Sequence, residues 1–88
     1  MAERSVQILN KNGLHARPAA EIVKAASRFK SDITIVRDDL EVNGKSIMGV
    51  MMLAAECGAV LTLRASGPDD EDAVGTIAEI IAAKFGES

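Results

Sequence analysis

The chain has 88 residues, 48% of them apolar, with a net charge of −3; one domain spanning residues 1–88 around a single core fits that length. An acidic balance with no basic stretch, and with Phe29 and Phe85 as the only aromatics, excludes nucleic-acid binding by phosphate neutralisation and base stacking. The lone Cys57 rules out an internal disulfide, and no apolar run approaches the ~18 residues of a membrane span, so a cytoplasmic protein without membrane insertion is expected, and it is expected to be a monomer.

Ser5 to Leu9 reads as a short strand, followed by the turn cluster Asn10-Lys11-Asn12-Gly13. A helix runs from about Ala16 to Arg28, with Ala19, Ile22, Val23 and Ala26 on one stripe. Pro18 falls in its first turn, where a missing N–H costs nothing. Ile33 to Val36 is β-branched and strand-like, and Arg37-Asp38-Asp39 turns it into Leu40-Glu41-Val42 as an antiparallel hairpin.

After the turn Asn43-Gly44-Lys45, Ser46 is a natural N-cap for a short helix from Ile47 to about Ala54. Val60 to Ala65 alternates apolar and polar residues as a half-buried strand. The last helix runs from about Asp70 to Phe85 on a stripe of Val74, Ile77, Ile81 and Phe85. Acidic residues open it, Lys84 sits in its last turn and Gly86 ends it. The order β-α-β-β-α-β-α predicts an α+β two-layer open-faced sandwich, a mostly antiparallel four-stranded sheet covered on one face by three helices.

Chemistry concentrates at His15, the only histidine, in the run Gly13-Leu14-His15-Ala16-Arg17-Pro18-Ala19-Ala20. The imidazole lands at a helix start, where unpaired backbone N–H groups gather and phosphate binds readily. Gly13 permits an unusual backbone angle before it, and Arg17 offers a permanently charged phosphate partner. The positive end of the helix and Arg17 keep a ring nitrogen nucleophilic and stabilise a phosphoryl group once attached. A transiently phosphorylated histidine suits that combination.

Gly13-Leu14-His15-Ala16-Arg17-Pro18 resembles the active-site motif of the HPr family, the histidine phosphocarriers of the phosphoenolpyruvate-dependent sugar phosphotransferase system. Lys45-Ser46-Ile47-Met48-Gly49-Val50-Met51 is similar to the family's second motif, around its regulatory serine. The resemblance covers essentially the whole chain. It implies that His15 accepts a phosphoryl group on Nδ1 from phosphorylated Enzyme I and passes it to IIA units of sugar permeases. Arg17 and the amides opening the first helix would brace the phosphate. At Ser46 it implies phosphorylation by an HPr kinase/phosphorylase, with a transcriptional regulator as a further partner. Ala54 departs from the pattern, standing where many relatives have glycine.

Ser46 also has a purely structural role as N-cap, and both roles stay open. A phosphate there would sit beside Lys45. The segment Ile47-Met48-Gly49-Val50-Met51-Met52-Leu53 is too apolar for a two-turn helix to bury, so some of it faces solvent. Ile47, Met48 and Met51 are the expected exposed members of a docking patch of adaptable side chains. Ala16, Ala20, Lys24 and Arg28, on the outward side of the first helix, would extend it, the two cations as a rim that steers an acidic partner.

Neither a metal nor a cofactor is expected. One His and one Cys cannot build a structural zinc shell, and no phosphate-binding nucleotide loop of the GxxxxGK[ST] kind occurs. The chain thus reads as a carrier rather than an enzyme. Two rivals remain. An acyl carrier protein is also small and acidic, but the Asp-Ser-Leu attachment motif is absent and Ser46 follows a lysine. A regulatory HPr-like module of the nitrogen branch would retain the histidine; the pairing of His15 with the Ser46 motif favours the sugar branch.

Overall fold

The computed structural model describes residues 1–87. Four strands and three α-helices follow in order: β1 (Ala2–Gln7), α1 (Ala16–Ala26), β2 (Asp32–Arg37), β3 (Leu40–Asn43), α2 (Ile47–Met52), β4 (Val60–Ser66) and α3 (Asp70–Ala82). The sheet order is β1-β4-β2-β3, and every neighbouring pair is antiparallel. β4, the most regularly alternating segment, lies inside the sheet. Its Leu61, Leu63 and Ala65 are buried, while Val60 and Ser66 face solvent.

The buried side chains of β2, β3 and β4 join Ala19, Ile22 and Ala26 of α1, Val50 of α2, and Val74, Ile77 and Ile81 of α3 in one core. The other face carries polar pairs, with Arg64 reaching Glu3 at 3.1 Å and Glu41 at 3.5 Å. Exposed pairs of this kind contribute little to stability. The predicted open-faced sandwich is therefore present, with a fully antiparallel sheet.

Element ends differ from the sequence expectation for identifiable reasons. β1 is Ala2–Gln7 rather than Ser5–Leu9, because its register runs from Ala2 opposite Ala65 to Gln7 opposite Val60. This edge strand is mostly exposed, so its polar residues carry no apolar signal. α1 stops at Ala26 rather than Arg28, because Arg28 and Phe29 donate to the carbonyls of Ala25 and Ala26, tightening the last turn. α2 stops at Met52 because Ala54 is left-handed, with φ 47°. That conformation costs a non-glycine residue about 1 kcal/mol.

α3 ends at Ala82, short of Phe85. Lys84, Phe85 and Gly86 have φ of 57°, 56° and 74°, and turn the chain back on itself. Lys84 therefore lies beyond the helix rather than in its last turn. Burial of Phe85, only 4% exposed, offsets the strain of two left-handed non-glycine residues.

A polar knot ties the connection between α1 and β2 to the connection between β4 and α3. Asp69 accepts from Ser31 Oγ at 2.6 Å, and from the backbone N–H groups of Ser31 and Lys30 at 2.9 Å each. Donation from the Ser31 hydroxyl, then from the Lys30 amide, lowers the Asp69 pKa from 3.8 to about 2. Because the folded value lies below the unfolded one, this contribution to stability is complete above about pH 4 and lost as pH falls towards 2. Urea melts of the native protein and Asp69→Asn should differ clearly at pH 7 and converge by about pH 2.

Candidate functional site

Asn10, Gly13 and Leu14 build the floor under His15. Gly13 has φ 68°, and a Cβ there would lie 2.5 Å from the carbonyl oxygen of Ala55. That same carbonyl accepts from the Leu14 amide at 2.8 Å. The Ala55 loop is itself clamped from β2: Arg37 Nη1 donates to the carbonyls of Leu53 and Ala54 at 3.1 and 3.0 Å, and Nη2 meets Glu56 at 2.7 Å. The backbone hydrogen bond to Glu56 and then Arg37 hold the Glu56 carboxyl below its ordinary pKa. Arg37, read from sequence as a turn residue, thus secures the loop on which the His15 turn rests.

His15 is the N-cap of α1, with extended backbone (φ −79°, ψ −174°), and its carbonyl accepts the Ala19 amide at 3.1 Å. Its side chain does not cap the helix. Among the described residues the amides of Ala16 and Arg17 find no acceptor, and Pro18 has no N–H to lose. His15 and Arg17 are both exposed, and Arg17 makes no ion pair among the described residues. A cation, two free amides and an exposed imidazole therefore share one helix end.

Sequence reasoning placed only positive charge around His15. The structure adds a carboxylate: Nε2–H donates to Glu87 Oε2 at 3.0 Å. Burial raises the Glu87 pKa, but hydrogen bonds from Asn10 and His15, and the charges of His15 and Arg17, outweigh it and keep the carboxyl below its ordinary value. With the proton on Nε2, the Nδ1 lone pair is left unengaged. Glu87 was invisible in the sequence because the left-handed turn that delivers it is built on Lys84 and Phe85, which carry no turn signature.

The second motif forms α2. Ser46 is its N-cap, accepting from the Gly49 amide at 3.1 Å. Lys45, expected beside a Ser46 phosphate, instead donates to the Phe29 carbonyl at 2.8 Å, beyond the end of α1. Val50 is the one buried residue of α2; Ile47, Met48 and Met51 are 45%, 78% and 43% exposed. Met52, at 65%, belongs to the same apolar surface and was missed. The helix was expected to run on to Ala54, which obscured the phase of its last residues. α1 packs against α2, and Ala16 and Ala20 are exposed at the N-terminal end of α1. Lys24 and Arg28, both exposed, line a shallow groove with Glu21 and with Ile80 of α3. Among the described residues no His, Cys, Asp and Glu cluster could hold a metal ion, and no helix is long and apolar enough to cross a membrane.

Comparison with known proteins agrees with this geometry. Residues 2–83 match the family model described as "PTS HPr component phosphorylation site". The phosphocarrier protein HPr of Treponema pallidum is 53% identical over 87 residues, covering 99% of both chains. The HPr-like protein Crh of Bacillus subtilis is 43% identical, covering 92% of this chain and 95% of its own. A crystal structure of HPr from Thermoanaerobacter tengcongensis superposes with a TM-score of 0.96 at 48% identity, over 100% of this chain and 99% of the other. The chain belongs to the HPr family, the phosphocarrier proteins of the phosphotransferase system.

Proposed function

We propose that His15 is the phosphoryl acceptor, taking the group on Nδ1 from phosphorylated Enzyme I and handing it to IIA units of sugar permeases. One observation carries this reading: the imidazole stands at the N-terminus of α1 with Nε2 engaged and Nδ1 free, beside Arg17 and two unpaired amides. Arg17 and those amides hold the phosphoryl oxygens, and Ile47, Met48, Met51 and Met52 dock the partner, with Ala16 and Ala20 continuing the surface and Lys24 and Arg28 at its rim. The protein works as a cytoplasmic monomer of one domain.

The test is incubation with phosphoenolpyruvate and a general Enzyme I, followed by intact-mass measurement. One phosphate per chain, removed by acid, is expected, and His15→Ala should acquire none. An adduct that persists in His15→Ala contradicts the assignment.

We further propose that Ser46 is a regulatory site for HPr kinase/phosphorylase, and that the phosphorylated form contacts a transcriptional regulator. The half-buried hydroxyl caps α2 directly beside the apolar patch, so a phosphate there brings negative charge to the docking surface. An acid-stable, ATP-dependent adduct absent from Ser46→Ala is expected, and an adduct unchanged in that variant would remove the proposal.

A further inference from the structure

Glu87 lies at the far end of the chain from His15 and is nevertheless held at three points. Oε2 accepts from His15 Nε2–H at 3.0 Å, Oε1 lies 3.3 Å from the same nitrogen, and Oε1 accepts from Asn10 Nδ2 at 3.1 Å. Asn10 is completely buried, and its Nδ2 also donates to the Gly13 carbonyl at 2.7 Å. The Glu87 side chain is only 15% exposed. The left-handed turn over Lys84–Gly86 aims it there, and buried Phe85 anchors that turn.

The arrangement is a relay of fixed groups: a buried amide orients a carboxylate, and the carboxylate orients an imidazole. Such a carboxylate selects the tautomer of the ring and balances the positive charge that develops on it. We infer that Glu87 is the positioning residue of His15, holding the proton on Nε2 so that the Nδ1 lone pair faces the incoming phosphorus. This rests on His15 being the phosphoryl acceptor.

In the transfer the Nδ1 lone pair forms a bond to phosphorus while the bond from phosphorus to the donor's carrier atom breaks, its electron pair returning to that atom. The proton stays on Nε2 throughout. The phosphorylated ring is then cationic, and the Glu87 carboxylate faces its N–H rather than the phosphoryl group. On discharge the Nδ1–P electrons return to Nδ1, and the same tautomer is restored without a proton crossing the site.

Three proteins decide it: the native chain, Glu87→Ala and Glu87→Gln, in which the amide oxygen still accepts from Nε2–H. Nitrogen-15 shifts of the His15 ring, measured where the ring is neutral, should show essentially one tautomer in the native protein and in Glu87→Gln, and a mixture in Glu87→Ala. With phosphoenolpyruvate and Enzyme I, Glu87→Ala should lose about tenfold in kcat with KM unchanged, because the Glu87 carboxylate bonds to His15 and Asn10 and to no residue of α2, and Glu87→Gln should recover part of that loss. A Glu87→Ala protein with the native tautomer ratio and native kcat, or with a change in KM alone, overturns the role. If the native protein takes up no phosphate, the acceptor assignment itself fails. The ring shifts still report whether Glu87 holds the proton.

Discussion

Gly13→Ala should cost about 3 kcal/mol of stability, combining the left-handed penalty of a Cβ with the displacement of packed backbone. The added Cβ would lie 2.5 Å from the Ala55 carbonyl oxygen and 3.0 Å from the Glu56 Cα, both backbone atoms of a loop that Arg37 clamps. Neither side can yield cheaply. For a domain of this size the melting temperature should fall by at least 10 °C. The Ala55–Leu14 hydrogen bond lies in the path of the adjustment, so the imidazole should move away from Glu87 and phosphoryl uptake should fall with stability.

Gly75→Ala is the control for that experiment. Gly75 lies within α3, has no positive φ, and a Cβ there meets nothing within 4 Å. The same chemical change should stabilise the protein by about 0.5–1 kcal/mol, because alanine loses less backbone freedom in a helix. Thermal melts of the two variants should therefore move in opposite directions. A shared direction would mean that Gly13 is not held against the Ala55 loop.

The second large effect is on docking. Met48 is 78% exposed at the start of a helix whose only buried residue is Val50. Met48→Glu should weaken Enzyme I binding at least tenfold by putting a charge in the middle of an apolar contact, with the melting temperature nearly unchanged. Leu53→Ala reports the opposite case: Leu53 is 3% exposed, and truncation should cost about 2–5 kcal/mol of stability while sparing the docking surface. Calorimetric titration and thermal melts separate the two. A Met48→Glu protein that unfolds as readily as Leu53→Ala would place Met48 in the core.

How much of this was legible depended on whether the signal was local. His15 as helix N-cap, Ser46 as the cap of α2 and the alternation of β4 follow from neighbours within a few residues, and the structure has all of them. The stripe of α3 was legible too, Phe85 included, although Phe85 reaches the core from a left-handed turn and not from the helix. Non-local features were hidden. Asn10 read as one more turn residue, yet it is fully buried and holds both Gly13 and Glu87. Arg37 read as a turn cation, yet it secures the end of α2. Lys45 looked available for a phosphate and is committed to the Phe29 carbonyl. In each case at least one partner lies far along the chain, Glu87 for Asn10, and no periodicity encodes it.

The central claim is that a phosphoryl group resides on Nδ1 of His15 while Nε2 keeps its proton. Phosphorus–nitrogen coupling in the 15N-labelled, Enzyme I-charged protein tests it most directly. A one-bond coupling to Nδ1, with the Nε2 proton retained, is the predicted result. Coupling to Nε2, or a phosphorus signal coupled to no histidine nitrogen, would contradict it.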